Sequence, residues 1–130
     1  MSNHRPIKVA VVDDDASLCR AVQRLLAAAG IECECFLSAE QFFESGSEAE
    51  PDCVLLDVQL GGMSGFELQR KLADEGRDLP IIFVTAHDEP DAREQALSAG
   101  CVAFLRKTDP AETILEAIRS AAGLPHVQSR

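Results

Sequence analysis

The sequence predicts a doubly wound α/β fold, in which a five-stranded parallel sheet is flanked by five helices. Short apolar runs rich in β-branched residues alternate along the chain with segments of helical period, which is typical of repeated β/α units. Most of these runs are apolar without a break, as in strands that a parallel sheet buries on both faces. The 130 residues leave room for a single core, and right-handed crossovers are expected between the strands.

Five apolar runs are the predicted strands. They span Ile7–Val12, Ile31–Phe36, Cys53–Leu56, Ile81–Val84 and Val102–Leu105. In the second run, Glu32 and Glu34 alternate with apolar residues. This alternation predicts an edge strand with one face near water.

Helices are predicted after each run, and the first of them has the clearest pattern. Its apolar face is formed by Leu18, Val22, Leu25, Leu26 and Ala29, and Gly30 is a stop signal. The start signals of three later helices are a capping box at Ser38 and Gln41, a proline at Pro90, and the segment Asp109-Pro110-Ala111-Glu112. In the last segment we expect Asp109 to be the N-cap.

The composition narrows the class of protein. The chain is 46% hydrophobic, as globular domains are, and its formal charge is −10. This acidity argues against binding to nucleic acid or to an anionic membrane. Without a visible signal peptide or membrane span, the expected compartment is the cytoplasm. Residues 25–69 hold nine acidic residues and no Lys or Arg, so we expect partners to bind the less acidic side, at strand five and the last helix.

The five cysteines are expected to be reduced, buried thiols, since they lack the paired spacing of zinc sites. They are Cys19, Cys33, Cys35, Cys53 and Cys101. A metal site at Cys33 and Cys35 is the weaker alternative, because no second Cys or His pair accompanies them.

Polar residues follow four of the predicted strands: Asp13-Asp14-Asp15, Asp57, Thr85 and Lys107. The carboxyl ends of parallel strands meet at one edge of the sheet, so these side chains should converge. Converging carboxylates need a cation or a shared proton to offset their repulsion, and hard oxygen ligands favour Mg²⁺, which in turn favours a phosphoryl ligand. Asp57, Thr85 and Lys107 would then supply a nucleophile, a hydroxyl donor and a cation for forming an aspartyl phosphate.

With these residues the chain resembles the receiver domains of bacterial two-component response regulators, the CheY-like family. The matching segments are Val11-Val12-Asp13-Asp14, Leu55-Leu56-Asp57 with Gly65 eight residues later, Val84-Thr85-Ala86, and Lys107. Residues 62–68 are similar to receivers of the FixJ and NarL type. The resemblance implies the strand order 2-1-3-4-5 and a receiver domain over residues 7–122. Residues 1–6 are then an N-terminal extension, and residues 123–130 a tail too short for an effector domain.

The resemblance also implies the roles of the acidic residues. Asp57 would take a phosphoryl group from a sensor histidine kinase or a phosphotransfer protein. Asp14, Asp57 and the backbone carbonyl of Gln59 would bind Mg²⁺ directly, and Asp13 would act through water. Asp15 has no matching role and is expected to be a surface acid.

Further roles concern the response to phosphorylation. Thr85 and Lys107 would stabilise the phosphoryl group, Thr85 and Phe104 would switch together, and Gln59 and His87 would tune the lifetime of the phosphate. The switch would change the surface of helix four, strand five and helix five, which a downstream protein or a separate effector domain would then bind. A homodimer that forms on phosphorylation is a further alternative. Such a domain is a signalling phosphoacceptor with self-phosphorylation and autodephosphorylation chemistry, not a turnover enzyme, and the chain itself would bind no nucleic acid.

Two positions depart from the family pattern. Lys107 precedes Thr108 where Lys-Pro with a cis bond is common, so we expect either a trans link or a strained cis bond held by the site. Gly61 replaces a common proline and should loosen the loop after Asp57. Neither change removes a side-chain ligand.

Three alternative functions fit these residues less well. Acids that merely solvate strand ends would not explain why four required residue types coincide. A phosphatase of the haloacid dehalogenase type needs a second Asp where Gln59 lies. A flavodoxin-like flavin binder needs a Ser/Thr/Gly-rich phosphate loop where this chain has three aspartates.

Overall fold

The computed structural model describes residues 6–45, 50–86 and 90–123. Its strands are β1 (Lys8–Val12), β2 (Glu32–Phe36), β3 (Cys53–Asp57), β4 (Ile81–Thr85) and β5 (Ala103–Arg106). Its helices are α1 (Ala16–Ala28), α2 (Ala39–Glu44), α3 (Gly65–Asp74), α4 (Pro90–Ser98) and α5 (Ala111–Ala121). Most of the predicted N-terminal extension and of the C-terminal tail lies outside the described residues.

The five strands form one parallel sheet in the order β2-β1-β3-β4-β5, which confirms the predicted fold. As predicted, β2 is an edge strand, and Glu32 and Glu34 are exposed on it. The central strand β3 is buried at all five positions. Its residue Asp57 is paired in register with Val84 of β4, so the acid at the end of β3 lies beside the end of the neighbouring strand.

Each face of the sheet carries its own core, and this explains the unbroken apolar runs. Successive strand residues point to opposite faces, so both faces of a doubly wound sheet need apolar side chains. One core packs α2, α3 and α4 against the sheet, and its members include Val54, Leu56, Phe42, Leu68 and Ala96. The other packs α1 and α5, and its members include Cys53, Leu55, Cys19, Leu26 and Ile118.

The last three strands extend one residue beyond their apolar runs. Asp57, Thr85 and Arg106 are the last residues of β3, β4 and β5, where the sequence had suggested that they follow the strands. Backbone pairing does not depend on side-chain polarity, and Thr85 is in register with Arg106. At the other end of β5, Val102 lies outside the strand and is 44% exposed.

The predicted start of α5 is wrong in its details. The N-cap of α5 is Pro110, without a side-chain cap, and Asp109 is not the cap. Instead, Asp109 Oδ2 accepts a hydrogen bond from the backbone N–H of Arg106 at 3.0 Å, so its carboxylate closes the turn after β5. None of the described peptide bonds is cis, and the link between Lys107 and Thr108 is therefore trans.

Across the described ranges the longest helix has 13 residues, and none is both long and apolar enough to span a bilayer. All five cysteines are free, as predicted. Cys19 and Cys53 are buried, whereas Cys33, Cys35 and Cys101 are only partly buried, so the prediction of burial is wrong for these three. Burial raises the pKa of the Cys19 thiol to about 12 and that of Cys53 to about 12.

These two thiols should therefore resist alkylation in the native protein. At pH 8 a thiol of pKa about 12 is a thiolate in about one molecule in ten thousand, and only the thiolate reacts. We expect iodoacetamide to leave Cys19 and Cys53 unmodified in the folded chain and to modify both after unfolding in guanidinium chloride, as read by peptide mass mapping. Labelling of either residue in the native protein at the rate of a free thiol would contradict this expectation.

Candidate functional site

The ammonium group of Lys107 lies between two buried carboxylates at the carboxyl edge of the sheet. Its Nζ is 2.9 Å from Asp13 Oδ2 and 3.1 Å from Asp57 Oδ2. Asp13 directly follows β1, Asp57 ends β3, and the two strands are neighbours. Lys107 follows β5, and its backbone N–H donates to the carbonyl of Thr85 at 2.9 Å, which continues the strand pairing and directs the chain toward the site.

The second oxygen of each carboxylate accepts a hydrogen bond from a backbone N–H. Asp13 Oδ1 accepts from Asp15 at 2.9 Å, and Asp57 Oδ1 accepts from Gln59 at 3.2 Å. Asp13 is 3% exposed and Asp57 is 6% exposed. These hydrogen bonds, together with Lys107, compensate the removal of both carboxylates from water.

The environment shifts the pKa of both Asp57 and Lys107. Burial raises the pKa of Asp57 above its usual range, although the hydrogen bond from Lys107 opposes the shift. For Lys107, burial acts to lower the pKa, but the hydrogen bonds to Asp13 and Asp57 outweigh it and the pKa is raised. Lys107 therefore stays charged at neutral pH.

An apolar cavity of about 30 Å³ adjoins the Lys107 bridge. It is bordered by Asp13, Asp57 and Lys107 above and by aliphatic side chains of β1, α1, β3, β4 and α5 below. The aliphatic residues are Val11, Val12, Leu18, Val22, Leu55, Val84 and Ile114. One side of each carboxylate therefore faces apolar side chains. This low-dielectric environment disfavours the ionised form of the carboxylate and strengthens its attraction to the Lys107 ammonium.

The acidic cluster has the composition of a divalent cation site. Asp13, Asp14 and Asp57 each offer a carboxylate oxygen, and these oxygens lie within 4.8 Å of one another. Three carboxylates beside one ammonium leave two negative charges, the charge that one Mg²⁺ balances. The ligands are hard oxygens, and Asp14 is exposed, so the open side of the cluster leaves room for the waters that Mg²⁺ retains.

Thr85 and Phe104, the two predicted switch residues, are both buried. Thr85 ends β4, beside the strand that carries Asp57, and is 2% exposed. The Phe104 ring packs 6.4 Å from the ring of its cross-strand partner Phe83, and the Arg93 guanidinium lies 5.2 Å from its centroid. Phe104 is therefore packed inward. His87, predicted to tune the phosphate lifetime, lies outside the described residues.

Two contributions near the site were missed from the sequence. Asp15 is exposed, as expected, but it is also the N-cap of α1, accepting from the backbone N–H groups of Ser17 and Leu18 at 3.0 and 3.2 Å. Asp followed by a helical pattern is a cap signal that could have identified it. Gly65, which the motif after Asp57 includes, begins α3 against the backbone of Asp57, and this close contact gives the motif glycine a structural role that the sequence pattern alone did not assign.

A protein-family match and a curated relative of this sequence agree on one family. Residues 9–119 match the family described as the response regulator receiver domain. The chain is 35% identical over 122 residues to the response regulator protein TmoT of Ectopseudomonas mendocina, covering 94% of this chain and 56% of TmoT. The chain spans about half the length of the curated relatives that it matches.

Two solved structures extend the comparison. A response regulator receiver protein from Burkholderia phymatum is 43% identical with a TM-score of 0.80, covering 92% of this chain and 96% of that one. FixJ-N is 28% identical with a TM-score of 0.85, covering 98% of this chain and all of that one.

The contact at Gly65 predicts a strongly destabilising substitution. A Cβ at this position would lie 2.4 Å from the carbonyl oxygen of Asp57, and both groups are backbone, so Gly65→Ala must displace the start of α3. We expect a loss of about 3 kcal/mol in the free energy of unfolding, at the upper end of overpacking effects.

Gly61→Ala is the matched control. Its added Cβ would meet Asp14 Oδ2 at 3.7 Å, an ordinary contact. We expect Gly61→Ala to leave stability unchanged or to raise it by about 0.5 kcal/mol through the unfolded chain. Urea unfolding of both variants measures the difference, and equal midpoints would show that the close approach at Gly65 is relaxed without cost.

Proposed function

The chain belongs to the response regulator receiver family, and on that premise we propose that Asp57 is its phosphoacceptor. Receiver domains of this family accept phosphoryl groups in two-component signal transduction, and this is the function of the chain. The assignment to Asp57 is supported above all by its position: it ends the central strand, 3.1 Å from the ammonium of Lys107, and the neighbouring strand ends in Thr85.

Three carboxylates compete for this role, and their surroundings favour Asp57. Asp13 and Asp57 are held alike, each by one backbone N–H and by Lys107, so their hydrogen bonds do not separate them. Asp14 is exposed, where water competes for its charge. Asp57 ends the central strand β3 beside β4, whose last residue is Thr85, whereas Asp13 follows β1, which does not pair with β4.

In the proposed reaction, a carboxylate oxygen of Asp57 attacks the phosphorus of a phosphohistidine on a sensor kinase or phosphotransfer protein. An oxygen–phosphorus bond forms, the nitrogen–phosphorus bond breaks, and the imidazole leaves with the bonding electrons and takes a proton. Lys107 stays beside the acceptor and offsets charge on the transferred group. Thr85, buried at the end of β4, supplies a neutral hydroxyl donor to a phosphoryl oxygen.

The acidic cluster fits Mg²⁺, and we assign its ligands accordingly. Asp14, Asp57 and the backbone carbonyl of Gln59 would hold the ion directly, and Asp13 would act through water. When bound, Mg²⁺ neutralises charge on the phosphoryl oxygens as the bond to Asp57 forms.

The proposed output is a change in packing around Phe104. A phosphoryl group adds negative charge that attracts the hydroxyl of Thr85, and the space that Thr85 leaves admits the ring of Phe104. In the described structure Phe104 is already buried against Phe83 and Arg93, so the proposed change is a further shift of a packed ring toward Thr85. The surface of α4, β5 and α5 would change with it and would be recognised by a downstream protein or by an effector domain of a longer regulator.

The central prediction is Mg²⁺-dependent phosphorylation at Asp57. Incubation with acetyl phosphate should increase the intact mass of the wild-type chain by one phosphoryl group, because this donor replaces the phosphohistidine. Asp57→Asn lacks the nucleophile and should show no increase, and removal of Mg²⁺ with EDTA should suppress the wild-type reaction. Failure of the wild type to gain mass in the presence of Mg²⁺ would overturn the proposal.

A second prediction concerns the lifetime of the phosphate. We propose that the side chains of Gln59 and His87 control the access of water to the acyl phosphate. The double variant Gln59→Ala, His87→Ala should therefore lose phosphate at a rate different from the wild type, measured as the decay of the phosphorylated mass after removal of the donor. Identical decay curves would exclude this role while leaving Asp57 as the acceptor.

A further inference from the structure

The loop between Asp57 and α3 runs past the acidic cluster on two consecutive glycines. A Cβ built on Gly61 would lie 3.7 Å from Asp14 Oδ2, so the loop backbone lies close to the cluster. Consecutive glycines lose more conformational entropy on ordering than other residues do. This loop therefore depends on contacts from outside to keep one conformation beside the site.

Local hydrogen bonds fix the two ends of the loop. At its start, the N–H of Gln59 donates to Asp57 Oδ1 at 3.2 Å. At its end, Gly65 N–H donates to the carbonyl of Val58 at 2.9 Å, and Ser64 and Glu67 form a capping box for α3.

The middle of the loop is held from α2, by Glu40. The N–H of Met63 donates to Glu40 Oε2 at 3.2 Å. A Cβ built on Gly62 would lie only 2.9 Å from the same oxygen, so the carboxylate also rests against the Gly62 backbone. Glycine at position 62 thus makes room for Glu40.

The helix that carries Glu40 is itself firmly anchored. Ser38 caps its N-terminus by accepting from the N–H of Gln41 at 3.0 Å, and Phe42 is fully buried. Near its C-terminus, Arg77 donates to the carbonyl of Phe43 at 3.2 Å while its guanidinium pairs with both carboxylate oxygens of Glu50, at 2.9 and 3.0 Å. The backbone of α2 is therefore fixed, and the exposed side chain of Glu40 extends from it to the loop.

We propose that Glu40 is a positioning residue for phosphoryl transfer, which rests on the proposed function of Asp57. Its carboxylate holds the segment Leu60–Met63 in one conformation and thereby keeps the backbone around Gln59 in place beside Asp14 and Asp57. Glu40 does not touch the reacting atoms. It acts through the loop, and it supplies the rigidity that the Gly61-Gly62 pair lacks.

The first test separates the hydrogen bond from the charge. Glu40→Ala removes both, whereas Glu40→Gln removes the charge and keeps an acceptor oxygen. In Glu40→Ala we expect the Met63 amide to exchange with solvent about fivefold faster and the Mg²⁺ concentration for half-maximal phosphorylation by acetyl phosphate to rise about fivefold, the size of one net hydrogen bond. Glu40→Gln should stay within about twofold of the wild type in both measurements. Glu44→Ala, which removes an exposed acid from the same helix, should behave as the wild type does.

The second test uses the two glycines as a matched pair. Gly62→Ala places a methyl group against the Glu40 carboxylate and should reproduce the Glu40→Ala result. Gly61→Ala adds the same methyl group one residue earlier without touching Glu40 and should leave the Met63 amide exchange at the wild-type rate; because this methyl group lies 3.7 Å from Asp14 Oδ2, it is the control for amide exchange alone. Once Glu40 is Ala, adding Gly62→Ala should have little further effect, because the two changes break the same contact. Urea unfolding midpoints near that of the wild type show that the effects are local.

The outcomes distinguish this inference from the proposed function. If the wild type is phosphorylated and Glu40→Ala matches it in either amide exchange or Mg²⁺ requirement, the positioning role is wrong and the function stands. If Glu40→Gln is as impaired as Glu40→Ala, charge and not loop anchoring is responsible, and the inference also fails. If the wild type takes no phosphoryl group, the proposed function fails and the positioning role fails with it, whatever the Met63 amide shows.

Discussion

The site depends on one electrostatic constraint: two carboxylates at the ends of neighbouring strands are buried together. β1 and β3 are adjacent in the sheet, so Asp13 and Asp57 must lie close to each other once the sheet forms. Lys107, at 2.9 and 3.1 Å from them, provides the opposite charge that makes this burial tolerable. Lys107 follows β5 and reaches these carboxylates only because β5 lies in the same sheet as β1 and β3. The chemistry of the site therefore depends on the order of the strands.

The same constraint explains why the backbone around Asp57 is so closely packed. The carboxylate is oriented by the N–H of Gln59, and α3 begins so close to the strand end that only Gly65 fits against the Asp57 carbonyl. A loop that leaves a buried charge must satisfy its own polar groups nearby, and here it does so within a few residues. The Gly61-Gly62 pair lies in the middle of this loop, where the Glu40 carboxylate of α2 accepts a hydrogen bond from the N–H of Met63.

The sequence predicts what is determined by chain order and misses what depends on contacts between elements. The strands were predictable because both faces of the sheet are buried, and the cluster was predictable because Asp13, Asp57, Thr85 and Lys107 all lie at strand ends. The cap of α5 was not, because the Asp109 carboxylate accepts a hydrogen bond from the backbone N–H of Arg106 in the preceding turn and does not cap the helix. The role of Glu40 was equally hidden, since its partner Met63 is 23 residues away in the chain.

The charges of the site also indicate why a neutral hydroxyl is suited to act as the switch. In the proposed cycle, Lys107 and one Mg²⁺ would balance the three carboxylates of the cluster before phosphorylation. Phosphoryl transfer would then replace the Asp57 carboxylate by a group of charge about −2, and the site would gain about one negative charge. A hydrogen-bond donor drawn toward that group lowers its energy without adding a further ion. Thr85 ends the strand next to Asp57 and is buried with it, so a response there displaces packed atoms and reaches β5, where Phe104 lies between Phe83 and Arg93.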